Sequence, residues 1–163
     1  MKFEIVKLEE FSGKQASIYT VLLDDKKTLF DDFVEENDEH FSDEIDDLFA
    51  TLNKIGHRFG AKEYFFKLNE GNFGDGICAL FDNPDKLLRL YCIRFGNAAI
   101  ILGGGDEKPK NIITFQENPK LTTENYLLRK ISKIITQAIK DKEIIWSQND
   151  LELIGNLKFE DDE

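Results

Sequence analysis

Between residues 63 and 103 apolar side chains recur at every second position, while before and after that stretch they recur at helical spacing. This change of period constrains the fold most. Alternation by two fits a strand with one face in a core, and a period near 3.6 fits a helix with one apolar stripe. The middle of the chain therefore builds a sheet, and the flanks supply the helices that cover it. Strands are expected at 63–68, 77–82, 86–95 and 98–103. Turn residues separate them: Asn69 to Gly76, then Asn83-Pro84-Asp85, then Gly96-Asn97. The tight Gly96-Asn97 link predicts an antiparallel hairpin of the last two. A short strand is expected to follow at 111–115.

Two further strands are expected at 2–10 and 15–23, with Ser12-Gly13-Lys14 as their turn. Leu29, Phe30, Phe33 and Val34 predict a helix over 26–37. Ile45, Leu48, Phe49, Leu52 and Ile55 predict another over 43–55, with Ser42 as its N-cap and Gly56 as its stop. A long helix over 123–141 would turn Leu127, Leu128, Ile131, Ile134, Ile135 and Ala138 inward, capped by Thr122 or Thr123. Residues 160–163 are expected to fray. Strands in runs, with helices on one face, define an α+β fold. The expectation is one domain over residues 1–163: an antiparallel meander, an N-terminal helical pair and a long C-terminal helix packed on it.

The composition can fill such a core, with 41% apolar residues and 14 Phe among 163 residues. No apolar run approaches the roughly 18 residues that span a membrane, and Met1-Lys2-Phe3-Glu4-Ile5 does not read as a signal peptide. A cytoplasmic protein without membrane contact is expected. Cys78 and Cys92 lack CxxC spacing and fall in apolar runs, so they read as reduced core thiols. They could face each other on neighbouring strands. His40 and His57 have no Cys or second His at ligand spacing, so no metal site and no cofactor is expected.

A net charge of −11 argues against a general nucleic-acid binder. The charge is segregated, however. Residues 1–60 hold 15 acids against 7 bases, and residues 108–142 hold 8 bases against 3 acids. A local basic patch can therefore exist on an acidic chain. The twelve Asp and Glu of residues 24–47 read as solvated helix faces. A cation site with His40, or a surface that mimics nucleic-acid charge, would be the functional alternatives.

Gly103-Gly104-Gly105 lacks the spacing of a phosphate-binding loop, and a bulge or a close backbone approach explains it as well. The informative stretch is 86–110. On a strand, Arg89, Tyr91, Ile93 and Phe95 share one face. An arginine among such neighbours either pairs with an acid at a sheet edge or presents its planar fork to a phosphate.

Several pieces fall in a familiar order: Leu48 to Gly56, Tyr64-Phe65-Phe66-Lys67-Leu68, Leu88-Arg89-Leu90-Tyr91, Gly96-Asn97, Ala99 to Leu102, and Lys108-Pro109-Lys110. Over roughly residues 29–110 this order resembles the RelE/ParE/HigB toxin superfamily. The resemblance implies a small α+β fold that docks RNA on its sheet, and for many members metal-independent cleavage of mRNA on the ribosome. By carry-over, Arg89 would stabilise the phosphate and Lys108 with Lys110 would hold the backbone. Tyr91 would stack on a base or handle a proton, and Lys62 and Lys67 would add phosphate contacts. The implied partners are a cognate antitoxin or other protein, and RNA or the ribosome. The acidic total and the extra C-terminal helix keep two other readings open. One is a non-catalytic protein-binding fold that uses the acidic helices or the basic C-terminal helix. The other is an inhibitor that mimics nucleic acid through residues 24–47.

Overall fold

A computed structural model describes residues 1–80, 85–108 and 118–161 of the chain. The strands are β1 Lys2–Lys7, β2 Ser17–Leu23, β3 Phe66–Lys67, β4 Ile77–Leu80, β5 Leu88–Phe95, β6 Ala99–Glu107, β7 Ile144–Trp146, β8 Leu153–Gly155 and β9 Lys158–Glu160. The helices are α1 Leu29–Asn37, α2 Ser42–Lys54 and α3 Pro119–Lys140. Seven strands form one sheet in the order β3-β4-β5-β6-β2-β1-β9, and β7 and β8 pair separately. Every pairing in the large sheet is antiparallel except β2 with β6, which run parallel. The expected hairpin of β5 and β6 is present, with Phe95 opposite Ala99.

The helices cover both faces of the sheet, not one as expected. Strand alternation decides which residues point where. Ile18, Leu80, Leu90, Cys92, Ile100 and Leu102 pack with Phe30 and Phe33 of α1 and Ile45, Leu48 and Leu52 of α2. Tyr19, Val21, Ala79, Tyr91, Ile93 and Ile101 pack with Leu121, Leu128, Ile131 and Ile135 of α3. The sheet interior therefore has two apolar sides, and each side needs its own helical layer. Cys78 and Cys92 stand directly opposite on β4 and β5, their sulfurs 3.4 Å apart and both buried. Burial pushes the Cys92 thiol well up, and the neighbouring Cys78 adds to the rise.

Several boundaries move. Thr28 caps α1 by accepting from Asp31 N at 3.0 Å. Phe41, not Ser42, precedes α2, and no side chain caps it. Gly56 does not stop the helix. The chain continues through a π-helical turn, Ile55–Phe59, and Gly60 at φ +79° ends it. Gly56 is a glycine for another reason: a Cβ there would lie 1.7 Å from the Phe11 carbonyl oxygen. Asn118, not Thr122 or Thr123, caps α3, accepting from the backbone of Lys120 and Leu121 with Pro119 in the first turn. Residues 63–68 hold a 3₁₀ turn, Glu63–Phe65, before the short β3.

The C-terminal segment departs most from expectation. Glu160 pairs with Lys2 across β9 and β1, and Phe159 stacks on Phe3 at 5.0 Å. The Met1 amino group donates to Asp161 O at 2.7 Å, and Lys130 pairs with the Asp161 carboxylate at 2.8 Å. Residues 160 and 161, expected to fray, are therefore held at the sheet edge. The strand expected at 111–115, Lys110, and the end of the strand expected at 77–82 lie outside the described residues. Among the described residues no helix is long and apolar enough to cross a membrane.

Candidate functional site

The site forms where α3 crosses β4, β5 and β6, beside the turn that leads into β4. Two residues of β6, Gly103 and Gly104, stand opposite the single residue Tyr91, because the register shifts between Leu90↔Gly105 and Cys92↔Leu102. This is a β-bulge. A Cβ on Gly103 would lie 2.9 Å from the Leu128 side chain, and one on Gly104 would lie 2.4 Å from the Glu124 carboxylate. One on Gly105 would lie 1.9 Å from the Arg89 carbonyl oxygen. Gly103 and Gly104 thus let the first half of α3 settle close on the sheet, and Gly105 lets β6 lie close against the β5 backbone. The three glycines form a buried part of a strand and no loop around a phosphate.

The long side chains of this region meet at Glu70. Its Oε1 lies 3.7 Å from Lys67 Nζ and 3.9 Å from an Arg89 guanidinium nitrogen. The Glu70 and Arg89 side chains are only 12% and 14% exposed. Glu70 Oε1 is buried and accepts no hydrogen bond among the described residues. The turn that carries Glu70 is stapled to α3. Asn125 Nδ2 donates to Glu70 O at 2.9 Å and Arg129 donates to the same oxygen at 3.2 Å. Ser132 Oγ donates to Asp75 O at 2.6 Å. The Arg129 guanidinium also lies 5.0 Å from the centre of the Tyr126 ring. Two cations, Lys67 and Arg89, thus meet the Glu70 carboxylate, and a third, Arg129, holds the backbone carbonyl of the same residue.

Tyr91 lies beneath them and is fully buried. Burial holds its phenol above the ordinary value, the Arg89 guanidinium and the Asn125 amide beside its hydroxyl pull it back, and Glu70 adds to the rise. The phenol therefore keeps its proton through the neutral range. A ring with no exposed face cannot stack on a base, so that expectation for Tyr91 is corrected. Its hydroxyl can steady Arg89. Glu124, one turn along α3, is also raised by burial, with Lys120 at 3.5 Å acting against the rise and the Glu36 and Asp32 charges adding to it.

The other expected site residues divide. Lys67 joins the Arg89 cluster through Glu70. Lys108 donates its backbone N–H to Leu87 O, one pair beyond Leu88↔Glu107. Because Arg89 stands opposite Asp106, alternation puts Lys108 on the Arg89 side of the sheet. Lys62 is exposed ahead of the 3₁₀ turn and makes no side-chain ion pair or hydrogen bond among the described residues. Sequence reasoning missed Glu70, Asn125 and Arg129 as members of the cluster. Asn125 did leave a signal, since it interrupts the apolar stripe between Leu121 and Leu128. Glu70 looked only like turn chemistry.

The basic face of α3 is less open than its sequence suggests. Lys130 pairs with Asp161, and Lys120 pairs with Glu36 at 3.0 Å and with Glu124. No group of three His, Cys, Asp or Glu able to hold a metal occurs among the described residues. Comparison with family models, with curated proteins and with solved structures returned no match to this chain.

Proposed function

We propose that this chain is a RelE-like relative that grips single-stranded RNA at the Arg89 cluster and cleaves it without a metal. The observation that carries the reading is the pair of cations, Lys67 and Arg89, held on one carboxylate oxygen that accepts no hydrogen bond among the described residues. In this reading Glu70 takes the proton of the ribose 2′-OH as that oxygen bonds to phosphorus. Arg89 and Lys67 stabilise the charge that grows on the phosphoryl oxygens. The bond from phosphorus to the 5′ oxygen breaks, and Lys108 or water protonates the leaving oxygen. The products are a 2′,3′-cyclic phosphate and a 5′-hydroxyl. Positioning of the 2′ oxygen in line with the leaving group supplies the remaining acceleration. Tyr91 positions Arg89 from below and does not touch RNA.

The test is cleavage of an end-labelled RNA by the purified full chain in EDTA, with the cyclic phosphate identified in the product. Arg89→Ala and Glu70→Gln should each lower the rate by at least about 100-fold, with the fold checked by circular dichroism. Expression should arrest growth, and Arg89→Ala should relieve the arrest. RNA that stays intact at high protein concentration would remove the catalytic reading and leave the non-catalytic protein-binding one.

A further inference from the structure

Between α2 and β3 the chain carries a second cluster of cations and rings that the Arg89 cluster does not use. The π-helical turn after α2 presents Arg58 and Phe59, and the 3₁₀ turn presents Tyr64 and Phe65. Tyr64 is 69% exposed and Phe59 40% exposed. The rings are contiguous: Phe59 to Phe65 at 6.3 Å and Phe65 to Tyr64 at 4.6 Å between centres. The Arg58 guanidinium lies 5.4 Å from the centre of the Phe59 ring. This segment is also braced from below. Arg94 on β5 donates to Ala61 O and to Asn97 Oδ1, both at 2.8 Å, and its guanidinium lies 5.7 Å from the Phe66 ring.

Charge selects the occupant. Residues 57–68 hold Arg58, Lys62 and Lys67 against the single acid Glu63, in a chain of net charge −11. Two exposed rings, Tyr64 and Phe59, bridged by the half-buried Phe65 and interleaved with cations, suit a single strand of nucleic acid, whose bases stack on the rings while its phosphates meet the cations. A protein partner drawn to this chain by charge would meet the acidic helices instead. We infer that Phe59, Tyr64 and Phe65, flanked by Arg58 and Lys62, form a stacking platform for single-stranded RNA. Lys67 adjoins both this platform and the Arg89 cluster, so a strand on the platform leads toward Glu70. The platform binds bases whether or not the Arg89 cluster cleaves.

The test is fluorescence anisotropy of a labelled 2′-O-methyl oligoadenylate of 12 nucleotides, whose blocked 2′ oxygens make cleavage irrelevant. An abasic strand of the same length serves as the control. The wild-type chain should bind the adenylate, and Tyr64→Ala should weaken binding about tenfold. Tyr64→Phe should keep it, and the abasic strand should bind no better than the adenylate binds Tyr64→Ala. Tyr64 is exposed, so neither variant should disturb the fold. Because the probe has no free 2′ oxygen, binding is read without cleavage, which separates the platform from the cleavage reading. Absence of binding at low salt, equal binding by Tyr64→Ala, or equal affinity for the abasic strand would each overturn the inference.

Discussion

Beneath α1 and α2 the sheet presents Ile18, Leu90, Cys92, Ile100 and Leu102, and the helices answer with Phe30, Phe33, Ile45, Leu48 and Leu52. Beneath α3 the same strands present Tyr91 and Arg89, and the helix answers with Asn125, Ser132 and Arg129 as well as Leu121, Leu128 and Ile135. The first side is an apolar core whose buried polar groups, Thr20, Asn37 and Thr51, are neutral. The second places polar and charged groups where burial penalises them. Replacing a buried ion pair by apolar residues is often neutral or stabilising, so stability does not account for keeping one. Both sides bury an apolar cluster of similar size, and among the described residues the α3 side adds the Glu70–Arg89 pair, which stability does not explain.

The sharpest way to break that contrast is to cut into each side. Leu52→Ala, at a fully buried position on α2, should cost about 3 kcal/mol in chemical denaturation. It should leave RNA cleavage per folded molecule unchanged. On the other side, Glu70→Leu or Arg89→Met alone should cost about 2 kcal/mol, since each strands a buried partner charge. The double variant should return to within about 1 kcal/mol of wild type and show no cleavage. A double variant as unstable as the sum of its parts would mean that the pair is structural.

Smaller effects refine the contrast through pH. Burial raises the Tyr91 phenol above its ordinary 10.0 in the fold, so the folded chain keeps a proton that the unfolded chain releases. Its contribution is complete below about pH 10 and is lost as pH rises through the raised value. Tyr91→Phe should flatten the alkaline decline and change neutral stability by less than about 1 kcal/mol. Cleavage should also fall several-fold, because Arg89 loses its support. Glu124 behaves in the same sense at acid pH. Its carboxyl is raised above 4.5 by burial, so its contribution is present below that pH and is lost as pH rises through the raised value. Glu124→Gln should flatten stability across that window and slightly raise it at pH 7, as read by thermal melts at several pH values.

The sequence carried the strands and helices wherever a period ran long enough. The alternation from Leu88 to Leu102 and the stripe of α3 placed β5, β6 and the long helix. Strands β7, β8 and β9 have three residues each, too short for any period to register. Their partners are also distant in sequence. Asp161 bonds Met1, and Leu153 N donates to the Tyr19 hydroxyl at 2.9 Å. The two-sided cover of the sheet was hidden because β5 was read for the one face that carries Arg89. At the site, Arg89 and Lys67 were legible as cations among rings. Glu70 was not, because its role depends on a turn folding back under α3, and Asn125 and Arg129 produce that fold through contacts 55 and 59 residues away.

The central claim is that the Arg89 guanidinium meets an RNA phosphodiester on the α3 side of the sheet. Arginine side-chain NMR of the ¹⁵N-labelled full chain, titrated with an uncleavable 2′-O-methyl RNA, tests it most directly. The expected result is a saturable shift of the Arg89 Nε–H resonance, assigned by its loss in Arg89→Lys. An Arg89 resonance that stays fixed while RNA binds elsewhere on the chain, or while no RNA binds at all, would contradict it.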